Sequence, residues 1–503
     1  MKHSAPTSSS GVTLRLRALA IASLLLLTGC TEQVQSPIQQ IEAGVDFSEQ
    51  QISWEACDAG FECSTVAVPL DYQNPDGDVF EVALIRKSGS SNLSPLLVNP
   101  GGPGASGVDY LRDNYESVGT ENLRSNFQLI GFDPRGVGNS APVTCSDADL
   151  KDRVYYEESG FPLGSDQDME ISKEVLTDFA ASCQETGFDV AYFNTQQAAR
   201  DMDVIRATLG LEKLDYLGFS YGTELGATYI ALFPDRVGRF VLDGAVDPTL
   251  SSGESTVNQV AGFDKSFRTY LADCLLQPEC PFTGSVEAAL RQVDELLIDL
   301  QTTKLPTQYD REVGLTVALY GIFAALYSQE SWPYLTQAFD EAFSGDGSTL
   351  LLLADFYNDK DPEGGYLSNI AEANTAINCA DERPTAQDFA KDKQAAIDAS
   401  DVFGKYFAFP ELSCLGWPEG KSMVELDYTV ALETGPLVIG TTGDPATPYQ
   451  QAVSLSKLLS NAAFLTYQGE GHTAYGSNDC VNQYVEEYLT GANLTSSELL
   501  CAS

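Results

Sequence analysis

Short apolar runs separated by turn residues dominate the first half of the chain. Residues 64–70 and 79–85 flank the turn sequence Asn-Pro-Asp-Gly at 74–77, which predicts a β-hairpin. Continuous apolar runs that predict buried strands follow at residues 96–98, 127–132, 214–219 and 239–242. Helical apolar spacing extends over residues 195–209, and residues 221–232 predict another helix. Strands that alternate with helices predict an α/β fold, in which a mostly parallel sheet has helices on both faces.

The pattern changes between about residue 250 and residue 429, where helical spacing replaces the alternation. Amphipathic helices are predicted in this segment at residues 286–300, 313–327 and 332–343. Strands are predicted again at residues 436–440 and 463–467. The sequence therefore predicts a large helical segment inserted before the last strands of the sheet. It contains no internal repeat and no low-complexity block.

The first 29 residues have the pattern of a signal sequence, so they are excluded from the predicted fold. Lys2, Arg15 and Arg17 precede the apolar run at 18–27, which is followed by Thr-Gly and then Cys30. This ending resembles a bacterial lipobox, in which the cysteine thiol receives the lipid. The alternative is an ordinary signal peptide with an incidental cysteine.

Residues 30–48 are rich in Gln, Glu and Ser without apolar periodicity, which predicts a tether. No later stretch reaches the roughly 18 consecutive apolar residues of a membrane span. We therefore expect an exported lipoprotein, attached to the outer face of the cytoplasmic membrane by its N-terminal lipid only, with partial release from the envelope left open. The predicted organisation is a signal peptide (1–29), a tether (30–48), the first part of the core (49–249), a helical lid (250–429) and the C-terminal part of the core (430–503).

Composition and charge limit the classes of function. Of the 503 residues, 43% are hydrophobic and 20% are charged, which excludes a disordered chain. The chain has 28 basic and 72 acidic residues, and its formal net charge is −44. A nucleic-acid-binding protein needs clustered cations to displace counterions from phosphates. Nucleic acid is therefore excluded as a partner.

Ten cysteines follow Cys30, and an even number in an exported chain indicates disulfide bonds. Ten cysteines allow about 945 pairings, so spacing alone does not determine the connectivity. Pairing of neighbours is the simplest hypothesis: Cys57 with Cys63, Cys145 with Cys183, Cys274 with Cys280, Cys379 with Cys414, and Cys480 with Cys501. A metal site needs clustered ligands, whereas the chain has one histidine after its signal sequence and no Cys-x-x-Cys. No metal or other cofactor is expected.

The candidate chemistry lies in the sequence Gly-Phe-Ser-Tyr-Gly at 218–222. A G-x-S-x-G between a predicted strand and a predicted helix is typical of a nucleophile elbow, in which the serine hydroxyl is exposed above the sheet. The five-residue pattern alone is common by chance, and the flanking strand and helix make it specific. The alternative is a glycine-rich tight turn with a structural serine. We predict that Ser220 is a nucleophile.

A serine nucleophile needs a base and an acid that orients the base. His472 is the only histidine after the signal sequence, and it follows the last strand predicted from the apolar pattern. Asp444 follows the preceding strand, so the order Ser, Asp, His along the chain is that of the α/β-hydrolases. Two other acids are rivals for the orienting role: Asp243, which ends the strand at 239–242, and Asp133, whose alternative role is a turn cap.

The oxyanion formed during acyl transfer needs backbone N–H donors. One is predicted from Tyr221, which follows the nucleophile, and the other from Gly102 in the loop Asn-Pro-Gly-Gly-Pro-Gly at 99–104. A phosphate-binding loop is excluded because no Gly-Lys-Ser/Thr follows these glycines. Thr447, three residues after Asp444, is predicted to hydrogen-bond the acid or the base, and capping of its own turn is an equal alternative.

Five motifs occur in order: NPGGPG at 99–104, GFDPRG at 131–136, the Ser220 elbow, VLDG at 241–244 and GDP at 443–445. Together they resemble the actinobacterial tripeptidyl aminopeptidases of the prolyl-aminopeptidase-like serine peptidase family, over residues 54–501. The resemblance implies an α/β-hydrolase fold with a helical lid, and cleavage of short peptides from free N termini. Pro100 stands where prolyl aminopeptidases typically carry histidine, which favours the tripeptidyl branch.

An aminopeptidase must bind the substrate ammonium, and a buried ammonium needs carboxylate partners. Asp381 and Glu382 in the predicted lid are the candidates, because a disulfide at Cys379 would hold them rigidly. The expected partners are thus peptide substrates, and the protein is expected to be a monomer. A carboxylesterase or lipase would use the same elbow and triad, and a catalytically silent binding lipoprotein is a further alternative.

Overall fold

The computed structural model describes residues 46–58, 60–145, 148–184, 187–361, 364–383, 385, 388–494 and 498–503. The predicted signal peptide, Cys30 and residues 31–45 of the predicted tether lie outside these ranges. The folded part includes the last residues of that tether, since Phe47–Glu49 forms a 3-10 turn and Phe47 packs against the core. Gln50 then exchanges two hydrogen bonds with the backbone of Ala67. The folded domain therefore includes residues before the predicted boundary at 49.

The core begins with strands and helices in alternation. Its first strands are β1 (Glu55–Ala56), β2 (Phe61–Pro69), β3 (Val79–Lys87), β4 (Ser94–Asn99), β5 (Phe127–Phe132), β6 (Leu214–Phe219) and β7 (Val237–Asp243). Its first helices are α1 (Gly107–Asn114), α2 (Glu121–Asn126), α3 (Ala148–Tyr155), α4 (Asp166–Cys183), α5 (Thr195–Thr208) and α6 (Tyr221–Leu232).

A helical insertion separates β7 from the rest of the core. Its helices are α7 (Ser252–Cys274), α8 (Val286–Asp299), α9 (Leu315–Leu326), α10 (Trp332–Phe343), α11 (Ser348–Tyr357), α12 (Ile370–Asp381) and α13 (Asp388–Ala399). It also contains a short antiparallel pair, β8 (Leu305–Pro306) and β9 (Glu312–Val313). The core resumes with β10 (Leu437–Gly443), α14 (Tyr449–Leu458), β11 (Ala463–Glu470), α15 (Asp479–Leu489) and β12 (Glu498–Ala502).

The core strands form one sheet in the order β1-β2-β3-β5-β4-β6-β7-β10-β11-β12. The pairs β1–β2, β2–β3 and β3–β5 are antiparallel. Every other pair in this sheet, from β5–β4 to β11–β12, is parallel. The predicted hairpin is β2–β3. The predicted mostly parallel sheet is confirmed, with β12 as a final strand that the apolar pattern did not reveal.

Continuous apolar strands occur here because both faces of the sheet are buried. In β4, Leu96 and Val98 pack in a cluster that contains Val481 of α15, on one face. Leu97 points to the opposite face, into a cluster that contains Ile205 of α5. Alternate residues of one apolar run thus serve two cores.

A buried ion pair joins the loop after β5 to helix α5. Arg135 donates two hydrogen bonds to Asp201, at 2.8 and 2.6 Å, and both side chains are about 1% exposed or less. Arg135 also donates to the carbonyls of Leu70 and Tyr192. Because every arm of the guanidinium has a partner, the loop that carries the motif at 131–136 is fixed to the core.

The insertion has its own apolar core, built around Phe267, Tyr270, Phe339 and Phe403. The helices predicted at 286–300, 313–327 and 332–343 correspond to α8, α9 and α10. In the described residues, no helix is both long and apolar enough to cross a membrane. All five predicted disulfides are present: Cys57–Cys63, Cys145–Cys183, Cys274–Cys280, Cys379–Cys414 and Cys480–Cys501.

Candidate active site

Ser220 lies on the sharp turn between β6 and α6, with φ +55° and ψ −126°. This positive φ is unusual for a residue with a side chain and is typical of a nucleophile elbow. The flanking glycines make the turn possible. A Cβ on Gly218 would lie 2.5 Å from the Gly222 carbonyl oxygen, and a Cβ on Gly222 would lie 2.9 Å from the Asn99 carbonyl oxygen. The Ser220 N–H donates to the Asp243 carbonyl at 2.9 Å, which ties the elbow to the end of β7.

His472 and Asp444 lie on the loops after β11 and β10, and their side chains are in contact. His472 Nδ1 lies 2.9 Å from Asp444 Oδ1 and 3.0 Å from Oδ2. The Asp444 side chain is fully buried, and that of His472 is 10% exposed. The carboxylate also accepts the N–H groups of Ala446 and Thr447, at 3.0 and 2.9 Å. A carboxylate on Nδ1 leaves Nε2 as the imidazole nitrogen that is available for proton transfer.

Opposing effects act on the pKa of His472. Burial lowers this pKa, because it disfavours the imidazolium. The charge and hydrogen bond of Asp444, together with the charge of Asp243, raise it by more, so the net pKa lies above its ordinary value of 6.5. The site therefore favours the imidazolium that forms when the histidine accepts a proton.

The hydroxyl of Thr447 lies between the acid and the base. Its Oγ1 donates to Asp444 Oδ2 at 3.1 Å and is 3.3 Å from His472 Nδ1. Its backbone N–H caps the same carboxylate. The geometry therefore satisfies both interpretations of Thr447, support of the acid and capping of its own turn.

Asp243, a rival for the orienting role, holds the backbone of the histidine loop. Its carboxylate accepts the N–H groups of Ala474 at 3.0 Å and Tyr475 at 2.7 Å, while its carbonyl accepts that of Ser220. Burial raises the pKa of this carboxyl to about 6, although the two N–H donors oppose the shift. One residue thus ties Ser220 to the loop of His472, a role that the sequence did not predict. Its place in the sheet between the Ser220 and Asp444 strands was the available signal.

The other rival, Asp133, is confirmed as a turn and helix cap. Its carboxylate accepts hydrogen bonds from the Ser106 hydroxyl at 2.6 Å and from the N–H groups of Val108 at 3.1 Å and Asn139 at 2.9 Å. These donors belong to the start of α1 and to the turn after β5. The carboxylate is therefore committed to a structural role.

The glycine-rich loop after β4 contacts the elbow through Gly101. A Cβ on Gly101 would lie 3.0 Å from Ser220 Cβ and 3.1 Å from the Tyr221 nitrogen. The Gly101 N–H donates to Asn99 Oδ1 at 3.0 Å, whereas the Gly102 N–H has no acceptor within the ranges described. Tyr221 is the first residue of α6, so its N–H has no acceptor in its own helix. Neither predicted donor therefore has an acceptor among the hydrogen bonds of the described residues.

Comparison with known proteins agrees with this geometry. Residues 94–479 match the family described as having the α/β hydrolase fold. The chain belongs to the α/β-hydrolase family. Serine protease Hip1 of Mycobacterium tuberculosis (strain ATCC 25618 / H37Rv) is 33% identical over 508 residues, covering 96% of both chains.

Two further relatives of this hydrolase have different names. Carboxylesterase B of the same strain is 34% identical over 498 residues, covering 95% of this chain and 94% of that protein. Tripeptidyl aminopeptidase of Streptomyces lividans is 29% identical over 475 residues, covering 90% and 86%. The resemblance to tripeptidyl aminopeptidases drawn from the motifs is confirmed.

Asp381 and Glu382, the predicted ammonium anchors, already have partners in this hydrolase. Asp381 accepts the N–H of Thr195 at 2.7 Å and its hydroxyl at 2.6 Å, and burial raises the pKa of Asp381 to about 7. The Thr195 hydroxyl is also 2.6 Å from the hydroxyl of Tyr221. Glu382 accepts the N–H of Ser252 at 2.7 Å. Both carboxylates serve helix N termini, and binding of an ammonium as well stays a prediction.

A third acid lies in the same region. Glu224 is one turn along α6 from Ser220, and its pKa is raised to about 8, first by burial and then by the charges of Asp381 and Glu382. A cation beside this group would reverse the shift, because it would favour the charged carboxylate. Glu224 lies inside an ordinary helical run, so no pattern in the sequence distinguishes it.

A cavity of about 710 Å³ lies between α3 and α4 of the core and the insertion. Aromatic side chains such as Tyr155, Phe179 and Trp417 line it together with acids such as Glu158. Its α7 wall includes Gln259, whose Nε2 donates to the Ala446 carbonyl of the acid loop at 3.1 Å. The cavity thus borders a helix that contacts the Asp444 loop.

Proposed function

We propose that this hydrolase is a serine peptidase that releases tripeptides, or similarly short peptides, from the free N termini of its substrates. The observation that carries the proposal is the contact between His472 Nδ1 and Asp444, on loops tied to the strained Ser220 turn. Relatives named serine protease and tripeptidyl aminopeptidase, which align over most of the chain, support peptide bonds as the substrate.

In the proposed mechanism, Ser220 Oγ attacks the scissile carbonyl and His472 Nε2 takes its proton. Asp444 holds the imidazole through Nδ1 and stabilises the imidazolium. His472 then returns the proton to the leaving amine, and the acyl-enzyme forms on Ser220. Water hydrolyses this ester after His472 removes a proton from it, which regenerates the serine.

The N–H groups of Gly102 and Tyr221 are proposed to bind the oxyanion. Such preorganised donors act where negative charge develops, and loss of one typically lowers kcat by about 10²- to 10³-fold. Thr447 is proposed as a positioning residue, since its hydroxyl lies within hydrogen-bond distance of both Asp444 and His472.

We also propose that the mature protein is lipid-anchored at Cys30 on the outer face of the cytoplasmic membrane. Five disulfides support export, because such bonds persist in oxidising compartments. Metabolic labelling with a radioactive fatty acid tests the anchor. Label in the wild-type protein that is lost in Cys30→Ala would support it, and unlabelled wild-type protein would contradict it.

A carboxylesterase is the second candidate function. The 34% identity to carboxylesterase B favours it. The chemistry at Ser220 would be the same, with an alcohol instead of an amine as the leaving group. What distinguishes the two functions is whether the enzyme requires a free ammonium in its substrate.

The decisive experiment compares a free tripeptidyl p-nitroanilide, its N-acetylated form, an aminoacyl p-nitroanilide and p-nitrophenyl butyrate. The proposal predicts that kcat/KM is highest for the free tripeptide and falls at least about tenfold on acetylation, because a buried charged contact is lost. Equal kcat/KM for the free and acetylated peptides would contradict the exopeptidase. Hydrolysis of the butyrate alone would establish the esterase.

The location of the ammonium site is tested separately with Asp381→Asn, Glu382→Gln and Glu224→Gln. A variant that no longer distinguishes free from acetylated substrate identifies the anchor, whereas full discrimination in the first two would contradict the predicted pair. Asp310→Asn, an exposed acid on the insertion, is the charge-matched control. Thermal unfolding must accompany each assay, since Asp381 and Glu382 also cap helices.

A further inference from the structure

The insertion contacts the catalytic loop through Tyr327, the residue that follows α9. Its carbonyl accepts the backbone N–H of His472 at 2.8 Å. Its ring lies against the imidazole, with ring centres 5.2 Å apart and ring planes at 85°. One residue of the insertion therefore contacts both the backbone and the side chain of the histidine.

Tyr327 is itself held within an aromatic group of the insertion. Its ring centre lies 6.0 Å from that of Phe263 in α7 and 5.8 Å from that of Tyr357 in α11. Its hydroxyl is 3.5 Å from the Tyr357 hydroxyl. Because three insertion helices meet at this group, the position of Tyr327 depends on how the insertion as a whole is packed.

The histidine loop is shaped for this contact. Gly471, directly before His472, has φ +104°, and a Cβ there would lie 3.1 Å from the Tyr327 carbonyl oxygen. A side chain at 471 would be strained by the backbone conformation and would crowd the carbonyl. The glycine therefore permits the close approach of the insertion to the base.

We propose that Tyr327 is a positioning residue for His472, through which the insertion controls the orientation of the catalytic base. The inference rests on the proposed role of His472. Asp444 fixes the Nδ1 edge of the ring and Asp243 holds the loop after His472, but neither contact restricts rotation of the ring about its Nδ1 edge. Tyr327 supplies a further constraint, from the insertion. A shift of the insertion would then move the base away from Ser220.

Edge-to-face ring contacts are modest in energy, but catalysis is sensitive to small displacements. A misplacement of about 1 Å in a catalytic group can lower the rate by about 10²-fold. Loss of the ring should therefore reduce the chemical step much more than it reduces substrate binding. The titratable groups that face the imidazole are Asp444 and Asp243 from the core and Tyr327 from the insertion, and the Thr447 hydroxyl also lies 3.3 Å from Nδ1.

The test uses Tyr327→Leu, which removes the ring, and Tyr327→Phe, which keeps it. Tyr334→Leu is the matched control, because Tyr334 is a 60% exposed tyrosine of the same insertion. The readout is the rate of Ser220 labelling by a fluorophosphonate between pH 5 and 9, with labelling located by peptide mass spectrometry. This reaction needs the base but does not depend on whether the substrate is a peptide or an ester.

We expect Tyr327→Leu to reduce the labelling rate about 10- to 100-fold and to change its apparent pKa, with Tyr327→Phe and the control within about twofold of wild type. In peptide assays the loss should appear in kcat, with KM nearly unchanged. Equal labelling rates and pH profiles in wild type and Tyr327→Leu would overturn the inference. Failure of wild type to label at Ser220 would instead contradict the proposed function.

A second variant tests the same contact from the other partner. Gly471→Ala leaves the insertion unchanged and pushes the histidine loop against the Tyr327 carbonyl. We expect a reduced labelling rate here as well, and the double variant with Tyr327→Leu should lose less than the product of the two single effects. Full independence of the two effects would overturn the inference. If Tyr327→Leu does not fold, Gly471→Ala alone decides, and wild-type labelling in it would overturn the inference.

Discussion

The core and the insertion contact the same catalytic loops in different ways. In the core, the contacts depend on side chains of specific type: Asp444 on the imidazole, and Asp243 on the N–H groups after it. The insertion contacts backbone groups of three loops through the Tyr327 carbonyl, Gln259 Nε2 and Asn374 Nδ2. These are the loop of His472, the loop of Asp444 and the loop at 99–104. The core thus supplies the proposed reacting groups and part of their support, and the insertion adds contacts to the backbones of the same loops.

This difference predicts two kinds of variant. Substitution of Ser220, His472 or Asp444 in the core should remove chemistry without unfolding the protein, because the partners of these side chains remain packed. Substitution in the insertion should change rates by smaller factors, because a loop that loses one contact keeps its other constraints. The comparison fails if insertion variants abolish activity or if variants of these three core residues are mild.

The largest effect is expected for Ser220→Ala and His472→Ala, each of which should lower kcat by about 10⁶-fold. Ser220 forms the acyl bond, and no second histidine after residue 29 is available to replace His472. Active-site titration and steady-state kinetics give the measurement, with thermal unfolding as the control for folding. Retention of more than about a hundredth of wild-type kcat by either variant would contradict the triad.

Asp444→Asn should lower kcat by about 10⁴-fold, somewhat less than loss of the base. The acid limb of the pH–rate profile should also move. Asp444 raises the pKa of His472, and the base must be neutral to act, so loss of the carboxylate lowers that pKa and moves the limb to lower pH. An unchanged limb would show that another acid, with Asp243 as the first candidate, governs the histidine.

The sequence revealed the core better than the insertion for a physical reason. Ser220 is recognisable because Gly218 and Gly222 have to be glycine in a turn that tight, so the motif records the geometry. No motif marks Tyr327. Any residue at that position would offer the same carbonyl, and nothing in the sequence distinguishes this tyrosine from the other tyrosines among the 23 of the chain. The contacts of Asp381 and Glu382 are equally hidden from the sequence, because their partners on Thr195 and Ser252 are backbone N–H groups that almost any residue offers.

Asp243→Asn should have an intermediate effect, about tenfold on kcat, because the amide oxygen can still accept the N–H groups of Ala474 and Tyr475. Loss of its charge should lower the pKa of His472 slightly and move the acid limb to lower pH. Stability gives an independent measurement. Burial raises the folded-state pKa of Asp243 to about 6 from 3.8, so its contribution to stability is fully present below pH 4 and is lost as the pH rises through 6.

The free energy of unfolding of wild type, relative to Asp243→Asn, should therefore fall as the pH rises between about 4 and 6, and urea titrations at several pH values measure this difference. Asp243→Ala is the contrasting variant. It leaves two buried N–H groups without an acceptor, which costs about 1 to 3 kcal/mol for each. Equal stability of the Ala and Asn variants would contradict the role of Asp243 in holding the histidine loop.

An effect similar in size to that of Asp243→Asn is expected for Thr447, where the two interpretations differ. Its hydroxyl donates to Asp444 at 3.1 Å, a hydrogen bond to a charged group worth about 1.5 to 3 kcal/mol at most, and the carboxylate keeps its other donors. Thr447→Ala should therefore lower kcat by about 3- to 30-fold with KM unchanged, and Thr447→Ser should restore the rate because it keeps the hydroxyl. If Thr447→Ala changes only the unfolding temperature, the residue caps its turn and does not support the acid.

Asn374→Ala tests the insertion side of the comparison. It removes one hydrogen bond to the Pro103 carbonyl and should lower kcat by no more than about tenfold.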